Sequence, residues 1–220
     1  MNNNIIDFNN VFLGLRSGDG NLIKQNEVII KNFALSNFVN YLAVSADYLH
    51  NEINDPHNRQ LCGVILKNVI SANAGYQEFN SLWMKVDENI RNSIKNTILS
   101  CLGSVSELVR ATVSSCISAI CSIEFPLGKW QEIIKVLDDT STNEDFNFRL
   151  ASVTTIKNIM QDVPPSCIQD NWLALILFSI MKNIDKEVHY NIRRVAVEAL
   201  SYSIISLKSF FDEVEKKKAL

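Results

Sequence analysis

The sequence predicts an all-α fold, a right-handed α-solenoid of about five helix pairs followed by the start of a sixth. Three observations predict it. Apolar residues recur with helical period along nearly the whole chain, and clean period-two alternation is absent. Seven Gly and four Pro in 220 residues are few for a sandwich or barrel, whose many turns use more of both. A nine-residue frame also recurs four times along the chain, as the order of its elements makes clear.

The first helix is expected from about Ile5 to Arg16, and Ser17-Gly18-Asp19-Gly20 breaks it. Asn21 can cap a second helix reaching about Leu35. Helices then follow at about 38–52, 57–72, 88–102, 106–123, 128–140, 143–162, 168–184 and 188–207. Short breakers separate them: Asn54-Asp55-Pro56, Ala74-Gly75, Gly103-Ser104, Pro126-Leu127-Gly128, Ser141-Thr142-Asn143 and Pro164-Pro165-Ser166. Tyr76 to Trp83 reads as an elongated turn. Phe210 to Lys218 reads as the helix that opens a sixth pair and has no mate in this chain.

These breakers fall in a long-short rhythm, which favours stacked pairs over a closed bundle. The frame is x-Arg followed by small and apolar residues ending in an aliphatic. It starts at Asn58, Val109, Phe148 and Ile192. Its Arg falls at 59, 110, 149 and 193, at intervals of 51, 39 and 44 residues. The later intervals suit a HEAT or armadillo array of roughly 40–47 residues per repeat, and the first is lengthened by the Tyr76–Trp83 turn. Small residues in the second helix of each pair let neighbouring pairs approach closely, and stacking supplies the core that one pair cannot make alone. The plain reading of the recurrent Arg is structural, a bridge to a carboxylate or carbonyl of an adjacent repeat. On this frame residues 1–104 carry repeats 1 and 2 and the first helix of 3. Residues 105–220 carry the rest of 3, then 4, 5 and the start of 6, as one continuous solenoid.

Composition narrows function. The net charge of −3 gives no basic field for nucleic acid. No run reaches the roughly 20 apolar residues of a membrane span; the longest candidate is Trp172 to Met181. No N-terminal signal peptide is expected, since Met1 to Asn4 is uncharged and Ile5 to Leu15 is interrupted by Asp7, Asn9 and Asn10. The cysteines, Cys62, Cys101, Cys116, Cys121 and Cys167, are odd in number and lie among apolar residues, as reduced core thiols do. His50, His57 and His189 lack zinc-ligand spacing. There is no P-loop, G-x-S-x-G or H-E-x-x-H, and His189 lies in a turn, so no catalytic residue, metal or cofactor is expected.

At three places the sequence resembles the importin-β (karyopherin-β) family. Leu82-Trp83-Met84-Lys85-Val86-Asp87-Glu88 through Lys95-Asn96 to Leu102-Gly103 looks like the stretch joining the family's second and third HEAT repeats. There a Trp precedes a short turn, an Asp opens a helix, a Lys-Asn pair lies within it and Leu-Gly ends it. Ser115 to Ile120 through Glu124-Phe125-Pro126 to Trp130 is similar to the third-to-fourth junction, with Phe125 in an aliphatic place. Ile65-Leu66-Lys67-Asn68 matches the second helix of repeat two. The blocks keep the family's order and spacing and cover Asn21 to Leu207. Asn26-Glu27 stands where the family has Ala-Glu or Ala-Gln.

The resemblance implies the N-terminal arm of a nuclear import receptor, cut from a longer solenoid and working in cytoplasm, nucleus and nuclear pore. It implies that inner helices bind the GTP form of the Ran GTPase, with Lys67, Asn68, Glu27 and Arg110 as candidates. It implies that outer helices bind Phe-Gly motifs of nucleoporins, with Leu175 and Phe178 as candidates in the apolar Trp172–Phe178 run. Importin-α or cargo would be held by later repeats. For each candidate the plain alternative stands: Lys67 and Asn68 as a solvated helix end, and the Trp172–Phe178 run as core. The rival for the whole chain is a HEAT or armadillo scaffold or adaptor subunit with no part in transport. A third possibility is a helical enzyme whose active site lies beyond residue 220.

Overall fold

Helix starts in this chain are set by short polar side chains. Asp7, Asp19, Asn37, Asp55, Asp87 and Asp145 each accept a hydrogen bond from a backbone N–H of the first turn they precede. The computed structural model describes residues 6–73 and 75–218, with side chains described except at 165, 205–207 and 209–218. Among the described residues there are eleven α-helices and no strand. They are α1 (Phe8–Leu15), α2 (Gly20–Ser36), α3 (Phe38–His50), α4 (Pro56–Ser71), α5 (Leu82–Lys85), α6 (Glu88–Ser100), α7 (Glu107–Glu124), α8 (Ile133–Thr140), α9 (Phe146–Asp162), α10 (Asp170–Ile184) and α11 (Tyr190–Lys218).

The chain forms two compact units, residues 1–113 and 114–220. In the first, α1 lies against α2 and α3 against α4, with α6 packed on α3. Tyr41, Leu42, Leu49, Leu66, Trp83 and Ile98 fill its core, each exposed by 1% or less. In the second, α8 lies on α9 and α10 on α11, while α8 also meets α10 and α9 meets α11. First helices therefore stack on first helices and second on second, which is the packing rule of a helical repeat. Phe125, Ile134, Leu137, Ile156, Ile176 and Ala199 fill that core.

The four copies of the frame all lie in second helices: α4, α7, α9 and α11. Their small residues are the contact surface. A Cβ built on Gly63 of α4 would come within 2.6 Å of the Thr112 Cγ2 atom of α7. In the second unit the Thr155 hydroxyl of α9 donates to the Ser114 hydroxyl of α7 at 3.0 Å, and both are fully buried. The recurrent Arg takes the structural role. Arg59 Nε donates to Leu49 O at 2.8 Å, while its Nη atoms reach Glu52 at 2.6 and 2.9 Å. Arg110 donates to Ser104 O and Val105 O at 2.6 and 3.1 Å, and Arg193 to Lys186 O at 3.2 Å. Three of the four thus hold the turn entering their own helix. The fourth, Arg149, bonds to Asn183 Oδ1 of α10 at 2.9 Å, between pairs.

Several local expectations are corrected. Asp19, not Asn21, caps α2, accepting from the N–H groups of Asn21 and Leu22. The helix expected from Gly128 starts only at Ile133, because Trp130 is left-handed at φ 57° and Gln131 turns to bond Cys167 O. The Tyr76–Trp83 turn contains a 3₁₀ turn at Gln77–Phe79 and the start of α5. A break was expected after Leu207, but α11 runs on to Lys218, since no Gly or Pro interrupts Leu207-Lys208-Ser209. The side chains of Phe210 and Phe211, expected on a separate helix, lie outside the described residues. Finally, Glu107–Leu127, not Trp172–Met181, is the longest apolar helical stretch. It is long and apolar enough to cross a membrane by length and composition, but 67% of its apolar 18-residue window is buried within the protein, as in a core helix.

Candidate functional site

Of the four residues singled out in the first unit, Glu27 lies exposed on α2, and Lys67 and Asn68 lie half-buried near the C-terminal end of α4. Helix α4 ends on Ala72 in the left-handed region, at φ 49°. Asn73 then turns back. Its N–H bonds to Asn68 O at 3.1 Å and its side-chain amide donates to Asn68 Oδ1 at 3.3 Å. This fixes the Asn68 side chain and the exit of the chain.

The segment 75–79 lies between α4 and α2. Phe79 is fully buried and stacks on Phe38 of α3, with ring centroids 6.1 Å apart. Tyr76 lies 6.2 Å from Phe79. Lys31 of α2, one turn beyond Glu27, meets this segment at three points. Its ammonium donates to Gly75 O, sits 4.8 Å from the Tyr76 ring centre, and lies 3.6 Å from a Glu78 oxygen. Burial raises the Tyr76 hydroxyl above its ordinary pKa, and the charges of Glu27 and Glu78 add to the effect. Glu27 therefore shares an electrostatic neighbourhood with the segment that leaves α4.

Sequence reasoning missed Lys31, because its partners lie 44 or more residues away and no local pattern announces them. It did find Arg110, which the fold places elsewhere. That side chain is 7% exposed and donates to two backbone carbonyls, so its guanidinium is committed to the α6–α7 turn.

In the second unit, Leu175 is half-buried on α10 and Phe178 is 56% exposed. The exposed stripe of the helix runs through Ala174, Phe178 and Met181. Lys182 Nζ lies 4.1 Å from the Phe178 ring centre and 3.1 Å from Asp138 of α8, which also accepts from Ser179 at 2.7 Å. The Phe178 ring thus presents one face toward a tethered cation and leaves the rest to solvent.

Among the described residues no three His, Cys, Asp or Glu side chains could hold a metal ion together. His50 Nδ1 is 3.0 Å from the Ser100 hydroxyl, but that hydroxyl also donates to Thr97 O at 2.7 Å, as a helix-end serine does. His189 packs edge-on against Phe146, 4.6 Å between centroids, in the turn before α11.

The family model described as Importin-beta N-terminal domain matches residues 26–104. Importin subunit beta-1 of Arabidopsis thaliana is 23% identical over 94% of the chain, and that of Saccharomyces cerevisiae is 27% identical over 88%. Human Transportin-1 is 28% identical over 77%. The chain spans about a quarter of the length of the importin relatives, 24% and 23% respectively, and 18% of Transportin-1. Among solved structures, Kap95p in a complex with RanGDP aligns with a TM-score of 0.83 at 25% identity, over 96% of this chain and 25% of that one. Importin beta crystallised from ammonium sulfate gives a TM-score of 0.83 at 26% identity, over 94% and 24%. With its frame of small residues in second helices and an N-terminal domain match over residues 26–104, the chain is similar to the N-terminal quarter of importin-β family proteins.

Proposed function

We propose that this chain is the Ran-binding, N-terminal part of a nuclear import receptor, a scaffold that exchanges partners and is not an enzyme. The observation that carries the reading is the importin-β N-terminal domain match over 26–104, the same stretch that contains Glu27, Lys67 and Asn68. The likeness to Kap95p, whose binding induces the switch loops of RanGDP to adopt the GTP-bound conformation, supports the same partner. In this reading Lys67 and Asn68 meet acidic or backbone groups of the GTPase, Glu27 meets a basic one, and Arg110 acts by holding the start of α7. Binding of Ran in its GTP form and of cargo, direct or through importin-α, are linked because a stack of repeats changes pitch at low cost. The exposed Phe178 with Leu175 beside it fits a Phe-Gly motif of a nucleoporin on an outer helix. Such a receptor works in cytoplasm, nucleus and nuclear pore.

The test is the affinity of the 220-residue chain for Ran loaded with a non-hydrolysable GTP analogue and for Ran loaded with GDP. Tighter binding of the GTP form is expected. Lys67→Glu should weaken it by about 1–2 kcal/mol, since a reversed charge at a partly covered position opposes the partner. Binding of neither form would favour the rival, a HEAT scaffold outside nuclear transport. Unchanged affinity in Lys67→Glu would make Lys67 a solvated helix end.

A further inference from the structure

Lys31 belongs to no motif, and the Ran reading assigns it nothing. Its side chain is nevertheless only 32% exposed, and its ammonium is occupied by three groups of one five-residue segment: the Gly75 carbonyl, the Tyr76 ring and the Glu78 carboxylate. That segment is fastened from beneath by Phe79, fully buried against Phe38. Within it, Tyr76 N–H bonds to Asn73 O at 2.8 Å, Phe79 N–H to Tyr76 O at 3.1 Å and Asn80 N–H to Gln77 O at 3.1 Å. At one end Asn73 is tied to Asn68. At the side Lys31 ties it to α2, one turn from Glu27. The segment is thus a strap running between the helix that carries Glu27 and the helix end that carries Lys67 and Asn68.

We infer that Lys31 is a positioning residue of the Ran-facing surface: it latches the 75–79 strap to α2, so that Glu27 and the Lys67–Asn68 pair are held as one surface with Tyr76 and Glu78 between them. The inference rests on the reading of those three residues as Ran-facing. It is distinct from that reading because Lys31 acts through the strap and not through contact with the partner. A cation suits the task. It can neutralise Glu78, face the negative surface of the tyrosine ring and donate to a carbonyl at once, with three N–H groups on one atom. Methionine at this position would keep the stem and lose all three.

The experiment compares the 220-residue chain with Lys31→Met and Lys31→Arg. Two readouts are taken, amide hydrogen exchange at Tyr76, Phe79 and Asn80, and affinity for Ran loaded with a GTP analogue. In Lys31→Met the three strap amides should exchange about fivefold or more faster, with α3 and α4 unchanged, because only the strap is released. Ran affinity should fall about three- to tenfold, the range expected for loss of preorganisation without loss of a contact. Lys31→Arg, which keeps charge and donors, should recover most of both. Unchanged strap exchange in a chain that binds Ran overturns the latch. Faster exchange with unchanged Ran affinity overturns its role in the Ran surface. A wild-type chain that binds no Ran overturns the reading beneath, and the exchange data then still show whether Lys31 fastens the strap.

Discussion

Arg59 is a charge that has given up water almost entirely, at 1% exposure, in return for three directed hydrogen bonds. Its partner Glu52 keeps 46% of its side chain exposed, so removing the Arg does not strand a buried carboxylate. The cost of Arg59→Ala lies instead in the orphaned Leu49 carbonyl and the vacated volume. We expect a loss of about 2–3 kcal/mol in urea unfolding, below the figure for breaking a fully buried pair. Arg59→Met, which refills the space, should lose less. The same contact fixes a pH dependence. The hydrogen bond from Arg59 holds the Glu52 carboxyl below its ordinary value of 4.5. A depressed folded pKa gives stability that is present above the unfolded value and lost as pH falls through the folded one. The stability gap between wild type and Arg59→Ala should therefore narrow below about pH 4.5, and a gap constant down to pH 3 would contradict the pairing. The Arg itself was legible, because its recurrence at 59, 110, 149 and 193 survives in the bare sequence. Which acceptor each would choose was not, since three bond their own turn and the fourth crosses to another pair.

At the scale of elements, close approach of second helices is decided by single atoms. Gly63→Ala gains about 1 kcal/mol of intrinsic helix propensity. It also places a methyl 2.6 Å from Thr112 Cγ2 and 3.3 Å from Leu49 Cδ1. Thr112 cannot swing aside freely, as it is β-branched and its hydroxyl is bonded to Leu108 O at 2.9 Å. Overpacking of this kind costs about 1–3 kcal/mol, so the clash should win, for a net loss of up to about 2 kcal/mol. Thr112→Ser removes the methyl it strikes. The double variant should recover at least about 0.5 kcal/mol relative to additivity, and purely additive losses would mean that the helices do not meet there. Helix existence was readable from period and breakers in this chain, but the start of α8 was not. Trp130 is buried and left-handed there, and Gln131 reaches Cys167 O 36 residues on, a partner that local propensity does not announce. Likewise the end of α11 was misplaced because an apolar-to-charged shift after Leu207 looks like a boundary without being a helix breaker.

Across the whole molecule the apolar burial is unequal. Over its 17 residues α2 buries only Ile30 and Ala34, and it leaves Leu22, Val28, Ile29 and Leu35 exposed. Helix α4, at 16 residues, buries five apolar side chains, Cys62, Ile65, Leu66, Val69 and Ile70, with Leu66 and Val69 fully buried. Local opening follows burial, so the amides of α2 should exchange at least about tenfold faster than those of α4 in native-state hydrogen exchange. Equal protection would show that the first pair unfolds only with the rest. Such a gradient fits the proposed role of α2, which carries Glu27. An element with little internal burial can be ordered further by binding.

Four of the five cysteines are buried, and Cys167 alone among them is half-buried. Burial also pushes the Cys101 thiol up to about 11, which leaves it protonated and unreactive at neutral pH. The native sequence therefore carries its own attachment point. Maleimide at neutral pH should modify Cys167 first and place a dye at the turn before α10 without any engineered residue. A fluorophore there would label one site, in a chain whose other four thiols are buried.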